Sequence, residues 1–97
     1  MYEIKNYTRQ QAKKLGVKVR PSELKNKKID VIYNDKKIAS VGDSRFKDYP
    51  TYIAEKGKKF ADERRRLYRI RHKKHSKRVP GDISKQSRSY LAANLLW

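Results

Sequence analysis

The segment from Lys56 to Arg78 carries 12 Lys and Arg side chains in 23 positions, opposed only by Asp62 and Glu63. A run of that density suits the gripping of phosphate oxygens. Duplex DNA presents one negative charge per roughly 1.7 Å of its axis, and a basic helix face binds it by displacing condensed counterions. The middle of the run is arginine (Arg64, Arg65, Arg66, Arg69, Arg71). The planar guanidinium grips phosphate or carboxylate through paired hydrogen bonds, so residue type alone leaves an acidic protein surface open as the counterpart. The whole chain shares the bias. Its 27 Lys and Arg against 10 Asp and Glu give a formal charge of +17, a self-repulsion that a polyanion relieves.

Other chemistries find little support. His72 and His75 have the i, i+3 spacing that can place two imidazoles on one metal. There is no cysteine to join them, and their neighbours are cations that repel a divalent ion, so no metal site is expected. The carboxylates at Asp30, Asp35, Asp43, Asp48, Asp62, Glu63 and Asp82 are scattered, and metal-assisted hydrolysis needs them to converge. Neither a glycine-rich phosphate loop nor a nucleophile motif occurs, so the expectation is a protein that is not an enzyme, with no catalytic residue, no cofactor and no small-molecule substrate. Tyr33, Tyr49, Tyr52, Tyr68 and Tyr90 could stack on unpaired bases, but their spacing places most of them on apolar faces, where they are expected to form core. The lack of cysteine fits a reducing compartment. No stretch reaches the 18 apolar residues of a spanning helix, and the opening MYEIKNY has no signal-peptide core, so neither membrane insertion nor secretion is expected.

The elements that would position these side chains amount to one domain over residues 1–97, since a chain of 97 residues builds one modest core. Thr8 and Gln11 have capping-box spacing and Gly16 stands where a helix stops, which predicts a short N-terminal helix. Ser22 to Lys28 reads as a polar connection. Ile29, Val31 and Tyr33 alternate with Asp30 and Ile32 in a half-buried strand. Asn34-Asp35 suits a tight turn, and Lys37 to Val41 returns as the partner. A lone hairpin needs a helix to pack on. The stretch from Pro50 to about His75, capped by Asp48, supplies the candidate, with Gly57 as its weak point. On it Tyr49, Ile53, Phe60 and Leu67 form an apolar line, and Lys58, Lys59, Arg65, Arg66, Arg69 and Lys73 occupy the opposite arc. Arg64 and Arg71 fall inside the apolar stripe. Either their stems cover Phe60 and Leu67 with the heads in water, or they pair with Asp43, Asp48 or Glu55. The fold class expected is therefore α+β: short N-terminal helix, β-hairpin, long basic amphipathic helix, C-terminal helix. The core would span about 1–70, a solvated basic arm about 71–80, and the C-terminal helix about 82–97, capped by Asp82 or Ser84.

The runs Lys36-Lys37-Ile38-Ala39-Ser40-Val41-Gly42, Lys47-Asp48-Tyr49-Pro50-Thr51-Tyr52-Ile53 and Glu55-Lys56-Gly57-Lys58 resemble a family of small basic proteins encoded by large nucleocytoplasmic DNA viruses. The similarity continues through Ala61-Asp62-Glu63-Arg64-Arg65-Arg66-Leu67-Tyr68 and Arg71-His72-Lys73-Lys74 to Leu95-Leu96-Trp97, while Val79 to Ser87 departs from it. That family carries no settled activity. The resemblance implies a setting, namely the virion, or the cytoplasmic virus factory or nucleus of the infected host.

Together these observations lead to two expectations. One is a viral protein that binds nucleic acid, DNA rather than RNA, without strong sequence preference, through Lys58, Lys59, Arg65, Arg66, Arg69, Lys73, Lys74, Lys77 and Arg78. The other is a minor structural protein that clamps acidic surfaces of capsid or core proteins. In either case the apolar tail Leu95, Leu96 and Trp97 is expected to dock on a partner or to fold back onto the core.

Overall fold

The computed structural model describes residues 2–97. The chain begins with helix α1 (Asn6–Leu15), then strands β1 (Lys18–Pro21), β2 (Lys27–Tyr33) and β3 (Lys36–Asp43). Helices α2 (Tyr49–Lys56) and α3 (Lys58–His72), a 3-10 turn (Ile83–Lys85) and helix α4 (Arg88–Leu95) follow. The α+β class is thus correct, with three differences of detail.

First, the hairpin is two strands of a three-stranded antiparallel meander in the order β1-β2-β3. Asn34 and Asp35 turn it with φ of 51° and 64°, the primed geometry that matches strand twist. The extra strand comes from the stretch around Arg20-Pro21. Pro21 is tolerable there because β1 is an edge strand, where a missing N–H costs no ladder bond. Register pairs Val19 with Val31 and Arg20 with Asp30, and β3 sets Ser40 opposite Asp30. The centre of β2 is buried on both faces rather than one. Ile29 and Val31 enter the apolar core, while Lys28 and Asp30 are buried on the other side.

Second, the long helix is two helices. Gly57 adopts φ 91° and ψ 165°, a region essentially restricted to glycine, so the chain turns there instead of continuing. Tyr49 and Ile53 consequently do not share a helix with Phe60 and Leu67.

Third, the sheet is covered by α1 and α4, not by the long basic helix. Ile4, Ala12 and Val17 from the N-terminal part and Ile83, Leu91, Leu95 and Leu96 from the C-terminal part close over Ile29, Val31 and Val41. Leu95 and Leu96 are 0% and 1% exposed. The tail therefore folds back, and these two expected docking residues are consumed by the chain's own core. Leu96 sits so close to Gly42 that a Cβ there would come within 2.6 Å of its Cδ1.

The ends of the helices differ from expectation in an instructive way. Gly16 closes α1 at φ 76°, and Val17 N–H donates to Ala12 O at 3.0 Å. Thr8, however, is no cap: α1 starts at Asn6, and Thr8 is buried within it with its Oγ1 unpartnered. Gln11 turns away and donates to Asn94 O on α4 at 3.0 Å. Thr8→Val should therefore stabilise the protein by about 1 kcal/mol, because it removes a buried hydroxyl whose hydrogen bond is unmade. A urea midpoint that stays put or falls would contradict this. Asp48 caps α2 as expected, accepting from Thr51 N–H at 3.1 Å. Asp82 caps the 3-10 turn, and Ser87 takes over as the cap of α4.

Candidate nucleic-acid interface

Helix α3 carries the first part of the basic run, and its 3.6-residue period sorts the side chains onto two sides. On one side Arg65, Arg66, Arg69 and Lys73 line a cleft of about 730 Å³ shared with Ser76, Ala93 and Asn94. Four of the nine residues expected to meet nucleic acid are brought together there.

Not all of these cations are free. Lys58 Nζ lies 2.9 Å from Asp62 Oδ2, and Arg65 Nη2 lies 3.5 Å from Asp62 Oδ1. Arg66 grips Glu63 with two bonds of 2.6 and 3.1 Å. These pairs hold the Asp62 and Glu63 carboxyls below the usual range, Asp62 chiefly through a hydrogen bond from Tyr49 and Glu63 through Arg66. Asp62 also knits the two helices. It accepts from Tyr49 Oη at 2.7 Å, while the Arg65 guanidinium lies 4.0 Å from the centroid of the Tyr49 ring. The bend at Gly57 is fixed by this cluster.

Lys59, Arg69, Lys73, Lys74 and Lys77 are exposed and paired with no carboxylate among the described residues. Arg78 likewise has no acid and donates only to main-chain carbonyls, among them Gly81 O at 3.2 Å. Among the described residues, seven of the 27 basic side chains form ion pairs and the other twenty form none.

The segment after α3, expected as a solvated arm, is tied down through its backbone. The buried Gln86 side chain accepts from Val79 N–H at 2.8 Å and donates to Val79 O at 2.9 Å and Asp82 O at 3.2 Å. Ser87 Oγ donates to His75 O at 3.1 Å. The backbone is thus held while Lys73, Lys74, Lys77 and Arg78 stay exposed. Holding cations at fixed spacing lowers the entropy lost when they meet a charged surface.

The other side of α3 holds what the sequence reading placed in the core. Phe60 and Leu67 are 44% and 38% exposed, and Tyr68 is only half-buried. Tyr68 stacks nearly parallel to Trp97, with centroids 4.3 Å apart and planes at 7°, and against His72 at 4.2 Å. Tyr52 stands 6.2 Å from Trp97. Of the five tyrosines expected in the core, only Tyr49 is fully buried. Arg64 pairs with no acid among the described residues: its guanidinium lies over the Tyr52 ring at 5.6 Å. Asp43, Asp48 and Glu55, its candidate partners, are taken by Arg45, Lys28 and Lys47. Arg45 holds the Asp43 carboxyl down at about 2.

His72 is held in the stack on Tyr68, burial and neighbouring cations lower its pKa, and no group of three potential metal ligands exists among the described residues. No helix among the described residues is long and apolar enough to cross a membrane. In comparisons with protein-family models, curated proteins and solved structures, no match to this chain was found.

Proposed function

We propose that this protein binds nucleic acid, DNA rather than RNA, without strong sequence preference, through the α3 cleft and the pinned segment that follows it. The observation that carries the proposal is the division of charge. The acids around α3 are already neutralised by Lys58, Arg65 and Arg66, whereas Lys59, Arg69, Lys73, Lys74, Lys77 and Arg78 pair with no carboxylate among the described residues. Phosphates at regular spacing provide the counter-charge. Lys and Arg on phosphate position a protein without reading sequence, and the exposed Ile70 beside them offers no hydrogen bond to a base edge. The choice of DNA, and of the virion or virus factory as the setting, rests on the resemblance to proteins of DNA viruses.

The test is titration of labelled duplexes of two unrelated sequences at low salt, with an acidic polypeptide as competitor. The two duplexes should bind equally and displace each other, and the polypeptide should compete poorly at equal charge. DNA left free by micromolar protein would overturn the proposal. Preferential binding of the polypeptide would turn it toward the clamping of acidic capsid or core proteins.

A further inference from the structure

The second cleft, between α3, the end of the sheet and the C-terminal residue, has a different chemistry from the first. It encloses about 570 Å³, within the range of roughly 300–1,000 Å³ typical of ligand pockets. Tyr68 lies between His72 and Trp97, so the rings with surface to offer are Trp97 and Tyr52, both partly exposed. Phe46 and Leu67, 68% and 38% exposed, also line it. Four cations that form no ion pair among the described residues, Lys27, Arg64, Arg71 and Arg88, line the cleft with these rings, and the Asp43 carboxylate in the lining is engaged by Arg45.

We infer that this cleft receives an unpaired base of a nucleic-acid strand, stacked against Trp97 and Tyr52, with the flanking phosphates on Lys27, Arg64, Arg71 and Arg88. Aromatic faces inside a positively charged groove are what a single strand requires, and every base has a π-face to stack. Both rings are partly exposed, and a base paired and stacked inside a duplex has no free face to lay on them, whereas an unpaired base does. Charge complementarity favours this occupant over an apolar peptide, which would bury four uncompensated cations. The inference rests on the nucleic-acid reading above and adds to it a preference for unpaired bases at a second surface.

Trp97 is the sole tryptophan, so its fluorescence reports the cleft, while the anisotropy of a labelled strand reports binding anywhere. The probes are an oligothymidylate strand, a duplex, thymidine monophosphate and heparin, a polyanion without bases. The strand should bind and quench Trp97, whereas duplex and heparin should bind with little quenching. Tyr52→Ala should weaken the strand about 5- to 150-fold, the worth of one stacked base, and leave duplex affinity unchanged. Should Tyr52→Ala fail to fold, Arg71→Ala, at an exposed position among the phosphate contacts, should still weaken the strand and lower its log–log salt slope by about 0.7. Binding of the strand without quenching, quenching by heparin as strong as by the strand, or strand affinity unchanged in these variants overturns the inference and leaves the α3 proposal standing. Equal quenching by the free nucleotide would assign the cleft to nucleotides instead. Failure of strand and duplex alike to bind would overturn both readings.

Discussion

Asp48→Ala lowers the stability of this domain by about 3–5 kcal/mol, the largest single-residue loss expected in the chain. Asp48 is completely buried. Its Oδ2 accepts from Lys28 Nζ at 2.8 Å and from Tyr2 Oη at 2.6 Å, and its Oδ1 caps α2 through Thr51 N–H. Lys28 is itself buried, so alanine strands a cation in the interior and uncaps a helix at once. Small domains hold only about 5–15 kcal/mol in total, and the melting temperature should fall by about 12 °C or more. Thermal unfolding followed by circular dichroism measures it. Lys28→Met combined with Asp48→Asn should recover the greater part, because a buried ion pair is worth little against an apolar substitute and costs most when only one partner goes.

The same carboxylate contributes to the acid limit. Burial pushes the Asp48 pKa up, but the charge of Lys28 and hydrogen bonds from Lys28, Tyr2 and Thr51 outweigh it, so the carboxyl lies below its ordinary value. A carboxylate with a depressed folded pKa contributes its full stability above its unfolded pKa of about 3.9 and loses it as pH falls through the folded value. Stability should therefore be flat above about pH 5 and fall progressively below about pH 4. The Asp48→Ala variant should show a shallower fall over that window, and an equally steep one would place the acid sensitivity elsewhere.

The second large effect is on binding. Replacing Arg69, Lys73, Lys74, Lys77 and Arg78 together with alanine should lower the slope of log K against log salt by about 4–5, at about 0.9 for each phosphate no longer neutralised. Affinity for DNA near 0.1 M salt should fall by a factor on the order of 10³ or more. Because these side chains are exposed and meet no carboxylate, the fold should survive, and relief of self-repulsion should if anything raise the melting temperature at low salt. Unchanged affinity in a folded variant would move the interface off this surface.

Much of this was legible in the sequence where local rules decide. The β2–β3 pairing followed from alternation and from Asn34-Asp35, the start of α2 from Asp48 and Pro50, and the end of α1 from Gly16. Long-range choices were not legible. Thr8 and Gln11 have capping-box spacing, yet Thr8 is buried inside α1 and Gln11 is drawn to the Asn94 carbonyl of α4. Gly57 costs only about 1 kcal/mol as a helical residue, but Tyr49 and Asp62 gain a hydrogen bond when the chain turns there. The clearest signal against packing that helix on the hairpin is Arg64 and Arg71, seven residues apart on the stripe assigned to it. Two arginines on a helix face argue against its burial, and that face indeed lines an open cleft. With it went the placement of Tyr52, Tyr68 and Trp97, which line the same cleft.

The central claim is that the unpaired cations of α3 and the segment behind it meet phosphates. The salt dependence of the intact protein on duplex DNA tests it most directly. With Lys59, Arg69, Lys73, Lys74, Lys77 and Arg78 engaged, the log–log slope should be about −5, so affinity falls about a thousandfold between 50 and 200 mM salt. A slope near zero, or no binding at low salt, would contradict the claim.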